Sequence, residues 1–302
     1  MKALFIINPS SGRQNFIKGI EEIVSKLILD QIVPHIDVVY TQKQDDAYEA
    51  AYHVKPGEYD FITAVGGDGT LNEVVNGIIK GGHHTPMAVI SAGTVNDFAT
   101  YLNLPQTAEE FCEMIANFRC KDVDVGKVND QYFMNVLAGG LLTDVGYKVP
   151  KELKALFGKI AYYVEGAMDI PRQVFNTMPL KFTSEEYTKE TEVIMFIVAN
   201  SQSVGGFKNV APLASVSDGL LDVLVLRKVD VGQISNLLIK LLQGDHLNHP
   251  SVDYFQTKKI KIEPLNDMEI PVDYDGECFG EIPVEVEVIE KALKVIIPKK
   301  KI

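Results

Sequence analysis

An α/β domain followed by a β-rich domain is the fold class this sequence predicts, and three observations carry the prediction. Up to about Phe118, short apolar runs with β-branched members alternate with segments of helical periodicity, the pattern of a parallel sheet covered on both faces by helices. From about Lys121 the pattern changes to short alternating strands divided by turns, which predicts an antiparallel sandwich. The chain has 302 residues and 46% hydrophobic content, enough for two cores. The change of pattern alone sets the boundary, giving domains 1–124 and 125–290, with 291–302 a candidate to return to the first.

In the first domain Lys2–Ile7 is a strand and Asn8-Pro9-Ser10-Ser11-Gly12 a turn-rich loop, after which Phe16, Ile20, Ile23, Val24, Leu27 and Ile28 recur at helical spacing. Ile36–Tyr40 is the second strand, with Thr41 at its end and Ala47, Ala50, Ala51 and Val54 on a helix face. The third unit, DFITAVGGDGTLNEVVN from Asp60 to Asn76, is a buried strand that stops at Gly66-Gly67-Asp68-Gly69. Thr70-x-x-Glu73 fits a capping box, so a helix is expected to start there. Pro86–Ile90 is a fourth strand running into Ser91-Ala92-Gly93-Thr94-Val95-Asn96-Asp97, and Thr107-x-x-Glu110 caps a further helix to about Phe118.

The second domain opens with a hairpin, Val123 to Val128 answered by Tyr132–Val136 across Asn129-Asp130. A helix is expected over Leu153–Ile170, stopped by Pro171, and another around Ile234–Leu242. Strands are expected at Leu180–Thr183, Glu192–Ala199, Leu220–Leu226, Lys259–Glu263, Glu269–Asp273 and Val284–Ile289. A last one, Leu293–Ile297, suits either domain.

Bulk properties exclude several function classes. A formal charge of −12 disfavours a nucleic-acid binder, which needs a basic surface. No run approaches the ~20 apolar residues of a membrane span, and the first residues read as a strand and loop, so a cytoplasmic protein is expected. Cys112, Cys120 and Cys278 show no metal or disulfide spacing and are expected to be buried and reduced. His83-His84, among glycines, is expected to lie in an exposed loop. Lys148, Lys151, Lys154 and Lys159, and separately Lys258, Lys259 and Lys261, are either solvated surface or sites for anionic lipid headgroups.

The chemistry concentrates in loops. Glycines admit a phosphate close to the main chain, and a helix N-terminus adds free N–H groups and a positive dipole end. There is no P-loop motif, and Gly67-x-Gly69 is followed by Asn72 where a dinucleotide fingerprint needs glycine. Asp68 inside the turn would repel a phosphate unless a cation or a nucleotide hydroxyl lay between, which suggests a magnesium-bound nucleotide; an ordinary βα turn is the alternative. Asn8–Gly12 and Gly93-Thr94-x-Asn96-Asp97 leave the same edge of the sheet, where α/β ligands bind. In the second domain Asp273-Tyr274-Asp275-Gly276-Glu277 clusters carboxylates able to take a proton from an alcohol, or is a turn with solvated acids. Pro212–Gly219 offers carbonyls and Asp218 to a hard cation.

Assembled in order, Asn8-Pro9-x-Ser11-Gly12, Gly66-Gly67-Asp68-Gly69-Thr70-Leu71-Asn72-Glu73, Gly93-Thr94-x-Asn96-Asp97-Phe98-Ala99, Ala211-Pro212-x-Ala214-x-x-x-Asp218-Gly219-x-Leu221 and Asp275-Gly276-Glu277 resemble the diacylglycerol kinase catalytic-domain family, specifically the soluble bacterial lipid kinases. The glycine-aspartate motif alone is shared with NAD kinases and phosphofructokinases. The resemblance implies ATP at Asn8, Pro9, Ser10, Ser11, Gly12, Thr41, Gly67, Asp68, Gly69, Thr70, Leu71, Asn72, Glu73 and Thr94. It implies Glu277 as proton acceptor with Asp275 nearby, Asp68 and Asp97 organising Mg2+ at the phosphates, and a structural Mg2+ at Asp218 with the carbonyls of Ser215 and Leu220. It further implies a lipid acceptor, most plausibly diacylglycerol, met at a membrane surface in a cleft between the domains, and allows a homodimer. Ser91 and Thr100 depart from the family's usual proline and arginine. A kinase of a soluble acceptor such as NAD, and a non-catalytic nucleotide-binding regulator, are the rival readings.

Overall fold

The computed structural model describes residues 1–11, 15–93, 95–140, 177–207, 209–229, 233, 237, 240–241 and 244–299, the side chains of 15–18 and 277–279 apart. The expected helix at 153–170 and the lysines at 148, 151, 154 and 159 lie outside these residues, as do Gly12 and Thr94. The chain divides into two compact units, Met1–Val125 with Ile289–Ile302, and Gly126–Val288.

The first unit is built on parallel strands β1 (Lys2–Ile7), β2 (His35–Tyr40), β3 (Phe61–Gly66) and β4 (Met87–Ser91), in the order β4-β3-β1-β2. β3 is buried along its whole length, which is why it reads as a continuous apolar run. Between the strands lie α1 (Asn15–Leu29), α2 (Asp46–Tyr52), α3 (Asp68–Lys80), the short α4 (Asp97–Tyr101) and α5 (Ala108–Asn117). α1 packs with α5 and α2 with α3. Ile20, Ile23 and Leu27 supply the buried stripe of α1, and Phe111, Cys112, Met114 and Ile115 that of α5. Thr107 caps α5 as expected, its side chain accepting from the Glu110 N–H at 3.3 Å.

The second unit is antiparallel. β5 (Cys120–Val128), which begins in the first unit, turns at Asn129, in the left-handed region, into β6 (Gln131–Phe133), and β7 (Val136–Gly140) follows after a break. β8 (Met178–Thr183), β9 (Thr188–Ala199), β10 (Leu221–Arg227), β11 (Val252–Thr257), β12 (Lys259–Pro264), β13 (Pro271–Tyr274) and β14 (Glu277–Glu281) complete it. β9 pairs with β7, β8 and β10, so it carries the register for the unit. Phe133, Leu137, Phe182, Phe196, Val223 and Val272 belong to one buried apolar cluster, and Ile197, Leu224 and Ala211 to another. Of the expected helix near 234–242, residues 233, 237, 240 and 241 are described and helical.

Several expectations are corrected. Val284–Ile289 and Leu293–Ile297 are not separate strands: β15 runs from Val284 to Ile296 through Lys291, which takes a φ of 53° and donates its N–H to Asp124 at 2.7 Å. Its first half pairs antiparallel with β12, and Val295 pairs parallel with Met87 of β4. His83 is buried rather than in an exposed loop, with Nε2 at 2.9 Å from the Ala51 carbonyl oxygen and Nδ1 at 3.0 Å from Thr85 Oγ1. Cys120 is exposed, not buried. Lys259 is paired with Glu285 and Lys261 with Glu263, so that cluster is largely neutralised by its own strands. Among the described residues no helix is long and apolar enough to cross a membrane.

Candidate active site

The loops of the first unit are held at the carboxyl edge of the sheet because the ladder continues past the strand ends. The Asn8 N–H donates to the Val65 carbonyl at 2.9 Å, that of Thr41 to Ile7 at 2.9 Å, and that of Ala92 to Gly66 at 2.8 Å. Asn8 then ties two loops together. Its Nδ2 donates to Thr70 Oγ1 at 3.0 Å, and its Oδ1 accepts from the Ser10 N–H at 3.0 Å and the Ser10 hydroxyl at 2.6 Å.

Thr70 and Glu73 do not form a capping box. α3 begins earlier, at Asp68, with Gly67 as its extended N-cap, so both residues already lie inside the helix. The Thr70 hydroxyl serves Asn8, while Glu73 Oε2 accepts the Ala47 N–H at 3.1 Å in the first turn of α2. Burial pushes the Glu73 carboxyl up. The entry through glycine is required by space: a Cβ on Gly66 would lie 2.6 Å from Thr70 Cβ. One on Gly93 would lie 2.9 Å from Gly67 Cα. The second and third loops therefore meet backbone to backbone.

Asn96 fastens that meeting. In the left-handed region at φ 53°, it accepts the Gly93 N–H at 2.9 Å, returns Nδ2 to the Gly93 carbonyl at 2.8 Å, and gives its N–H to Asp68 Oδ2 at 3.1 Å. Asn8, Asp68, Thr70, Gly93 and Asn96 are thus in one connected set at the start of α3. Asp97 is buried in the first turn of α4, and Thr41 is buried at the end of β2. Leu71 and Asn72 face inward, Asn72 accepting from Asn76 Nδ2 at 2.9 Å. The arrangement gathers backbone donors and a helix N-terminus around a carboxylate, suited to a polyanion carrying a cation.

In the second unit β13 and β14 are joined by Asp275-Gly276, with φ of 49° and 86°, the signs a two-residue hairpin turn of type I′ requires. Asp275 is not a solvated turn acid. Its Oδ2 accepts the Met134 N–H at 2.7 Å and its Oδ1 those of Asn135 at 2.9 Å and Val136 at 3.1 Å, while its own N–H donates to Val136 O at 2.9 Å. Glu277 heads β14, opposite Tyr274.

Asp273, next along β13, is the acid whose ionisation is altered most plainly. Burial, with the Asp275 charge added, pushes its carboxyl up to about 6. Because the folded state holds this proton more tightly than the unfolded chain, stability falls as pH rises from about 4 through about 6, and the loss is complete above that window. Asp273→Asn is expected to raise stability at about pH 8 by on the order of 2–3 kcal/mol and to flatten the slope below pH 6. Urea midpoints of both proteins at about pH 4 and about pH 8 check this; equal differences at the two values would refute it.

The Pro212–Gly219 loop ends at Asp218, whose Oδ1 accepts the Leu220 N–H at 3.1 Å, and Gly219 at φ 74°. Nearby Asp222 is fully buried; it accepts the Tyr254 hydroxyl and, at 3.2 Å, Gln256 Nε2. Burial pushes Asp222 up and the Asp218 charge adds to this. Both Asp222 oxygens are thus engaged, which leaves Asp218 and the main-chain carbonyls of this loop as the oxygen donors of the kind a hard cation such as Mg2+ takes. Among the described residues no three His, Cys, Asp or Glu side chains are grouped to hold a metal, so main-chain oxygens would have to complete such a site.

The chain's likenesses agree with this geometry. A family model described as the diacylglycerol kinase catalytic domain matches residues 2–128, and the YegS C-terminal NAD kinase beta sandwich-like domain matches 140–297. The diacylglycerol kinase of Bacillus subtilis (strain 168) is 33% identical over 301 residues, 99% of this chain and 97% of its own. That of Staphylococcus aureus (strain MRSA252) is 32% identical over 98% of this chain and 92% of its own. A crystal structure of a diacylglycerol kinase from Bacillus anthracis str. Sterne superposes with a TM-score of 0.79 at 30% identity, covering 98% of this chain and 96% of that one. Yeast NADH kinase complexed with NADH shares the fold alone, with a TM-score of 0.53 at 12% identity over 100% of this chain and 84% of its own. With a full-length relative at this identity and loops of this construction, the chain belongs to the diacylglycerol kinase family and is a kinase with an alcohol as acceptor.

Proposed function

We propose that the enzyme transfers the γ-phosphoryl group of ATP to the free hydroxyl of diacylglycerol, giving phosphatidic acid and ADP. The observation that carries the reading is the connected set of Asn8, Asp68, Thr70, Gly93 and Asn96 at the N-terminus of α3, in a chain of this family. Asn8–Gly12, Thr41, Gly67–Thr70 and Thr94 hold the nucleotide, with Leu71 and Asn72 contributing through the main chain and Glu73 by fixing α2. Asp68 and Asp97 would hold a magnesium ion, whose chemistry there would be neutralisation of phosphate charge, and Asp218 with the carbonyls of Ser215 and Leu220 would hold a second, structural one. Glu277 takes the proton as the acceptor oxygen bonds to phosphorus and the bond to the ADP oxygen breaks. Most of the catalysis comes from positioning and charge neutralisation, since the transition state is loose.

The acceptor is presented at the surface of a bilayer to a cytoplasmic enzyme that binds it peripherally. The test follows radiolabel from γ-labelled ATP into phosphatidylcholine vesicles carrying diacylglycerol, ceramide or sphingosine, and into NAD in solution. Label is expected in diacylglycerol vesicles and is expected to vanish with EDTA. Labelled NAD, or transfer indifferent to vesicles, would overturn the lipid acceptor; bound ATP with no transfer to any acceptor would overturn the activity.

A further inference from the structure

Successive N–H groups of a regular strand point to opposite edges, so three in a row cannot face one carboxylate. Met134, Asn135 and Val136 do so at Asp275, in the gap after β6 stops at Phe133 and at the first residue of β7. A break of this kind takes carbonyls out of the ladder as well, and buried carbonyls need partners. Asn200 meets both: its N–H donates to Asn135 O at 2.8 Å and its Nδ2 to Met134 O at 2.8 Å. Ser201 Oγ donates to Asn135 Oδ1 at 3.0 Å, fixing that side chain. Asn135 is 3% exposed, and Asn200 and Ser201 are both at 0%.

Buried amides and hydroxyls are costly unless fully bonded, and apolar side chains would fill the same space at less expense. These polar groups serve the break between β6 and β7. The ladder runs regularly on the far side, with Val136 paired to Ala199 immediately before Asn200.

We propose that Asn200 and Ser201, acting through Asn135, are positioning residues for phosphoryl transfer. They set the strand break that grips Asp275, and Asp275 fixes the direction in which Glu277 leaves the turn. The inference rests on the assignment of Glu277 as proton acceptor. It makes Asp275 part of the frame of the site, with its oxygens engaged by main-chain donors.

The experiment compares kcat, KM for ATP and the thermal midpoint in Ser201→Ala, Asp275→Asn and the double variant. Ser201→Ala is expected to lower kcat about tenfold with KM for ATP unchanged, as a small misplacement of a reacting group does. The double variant is expected to be no slower than Asp275→Asn alone, the sign that both act as one unit. An unchanged kcat, losses that multiply, or a loss that only tracks the unfolded fraction would each overturn the proposal. Ser201→Cys, close in size and a weaker donor, carries the same comparison if the alanine variant does not fold. If Glu277→Gln proves active, the base assignment falls and the positioning falls with it; uncoupled losses with an inactive Glu277→Gln remove the positioning alone.

Discussion

Glu277→Gln is expected to lower kcat by about 10²–10⁴-fold, the usual worth of a positioned general base. The amide keeps the size of the carboxylate and cannot take a proton, so the acceptor oxygen would have to attack while still carrying its own. Nucleotide affinity is expected to stay within about twofold, because the residues proposed to hold the nucleotide belong to the first unit and Glu277 to the second. Single-turnover transfer to diacylglycerol vesicles, paired with calorimetric titration of ATP, separates the two quantities. Full turnover in this variant would remove Glu277 from the mechanism.

Asp68→Ala is expected to lower kcat/KM for magnesium ATP by about 10²–10³-fold, in line with losing one electrostatic group aimed at developing charge. Two functions are mixed in that residue. Its carboxylate accepts the Asn96 N–H at 3.1 Å, and its charge is proposed to hold magnesium. Asp68→Asn separates them, since an amide oxygen still accepts from Asn96 but brings no charge. If charge is what matters, Asn is expected to be nearly as slow as Ala, and both should require more magnesium for half-maximal rate. Recovery of the rate in Asp68→Asn would reduce Asp68 to a loop brace.

Features set by neighbouring residues were legible in the sequence. β1 and β3 are apolar runs bounded by polar turns, and the loops that follow them carry their own glycines, asparagines and hydroxyls. Features set by distant partners were not. Thr70 and Glu73 have the spacing of a cap, yet Asn8 and Ala47 claim their side chains from other elements. His83 sits in a glycine-rich stretch that looks exposed, and only the approach of α2 buries it. β11 and β14 went unread. VDYFQT is only partly buried along its length, and ECFGE includes a glycine. The grip on Asp275 comes from amides about 140 positions earlier, so only the acidity of the turn was visible locally. Asn200 and Ser201 had one sequence signal, polar residues directly after the apolar end of β9, and that pattern equally describes any strand entering a loop.

β15 gives the chain an order of manufacture. Its second half supplies Leu293, Val295 and Ile296 to the interior of the unit that begins at Met1, with Val295 beside Met87 and the Ile297 N–H on the Arg119 carbonyl at 2.9 Å. The unit translated first therefore lacks this strand until residues 289–296 have been made, well after its other strands, and the edge of β4 has to wait for it. A nascent chain stopped after residue 288 would carry the loops around the start of α3 on a sheet whose β4 edge lacks Val295. A proteolytic clip near Lys291 would leave that edge held by a segment no longer joined to the first half of β15.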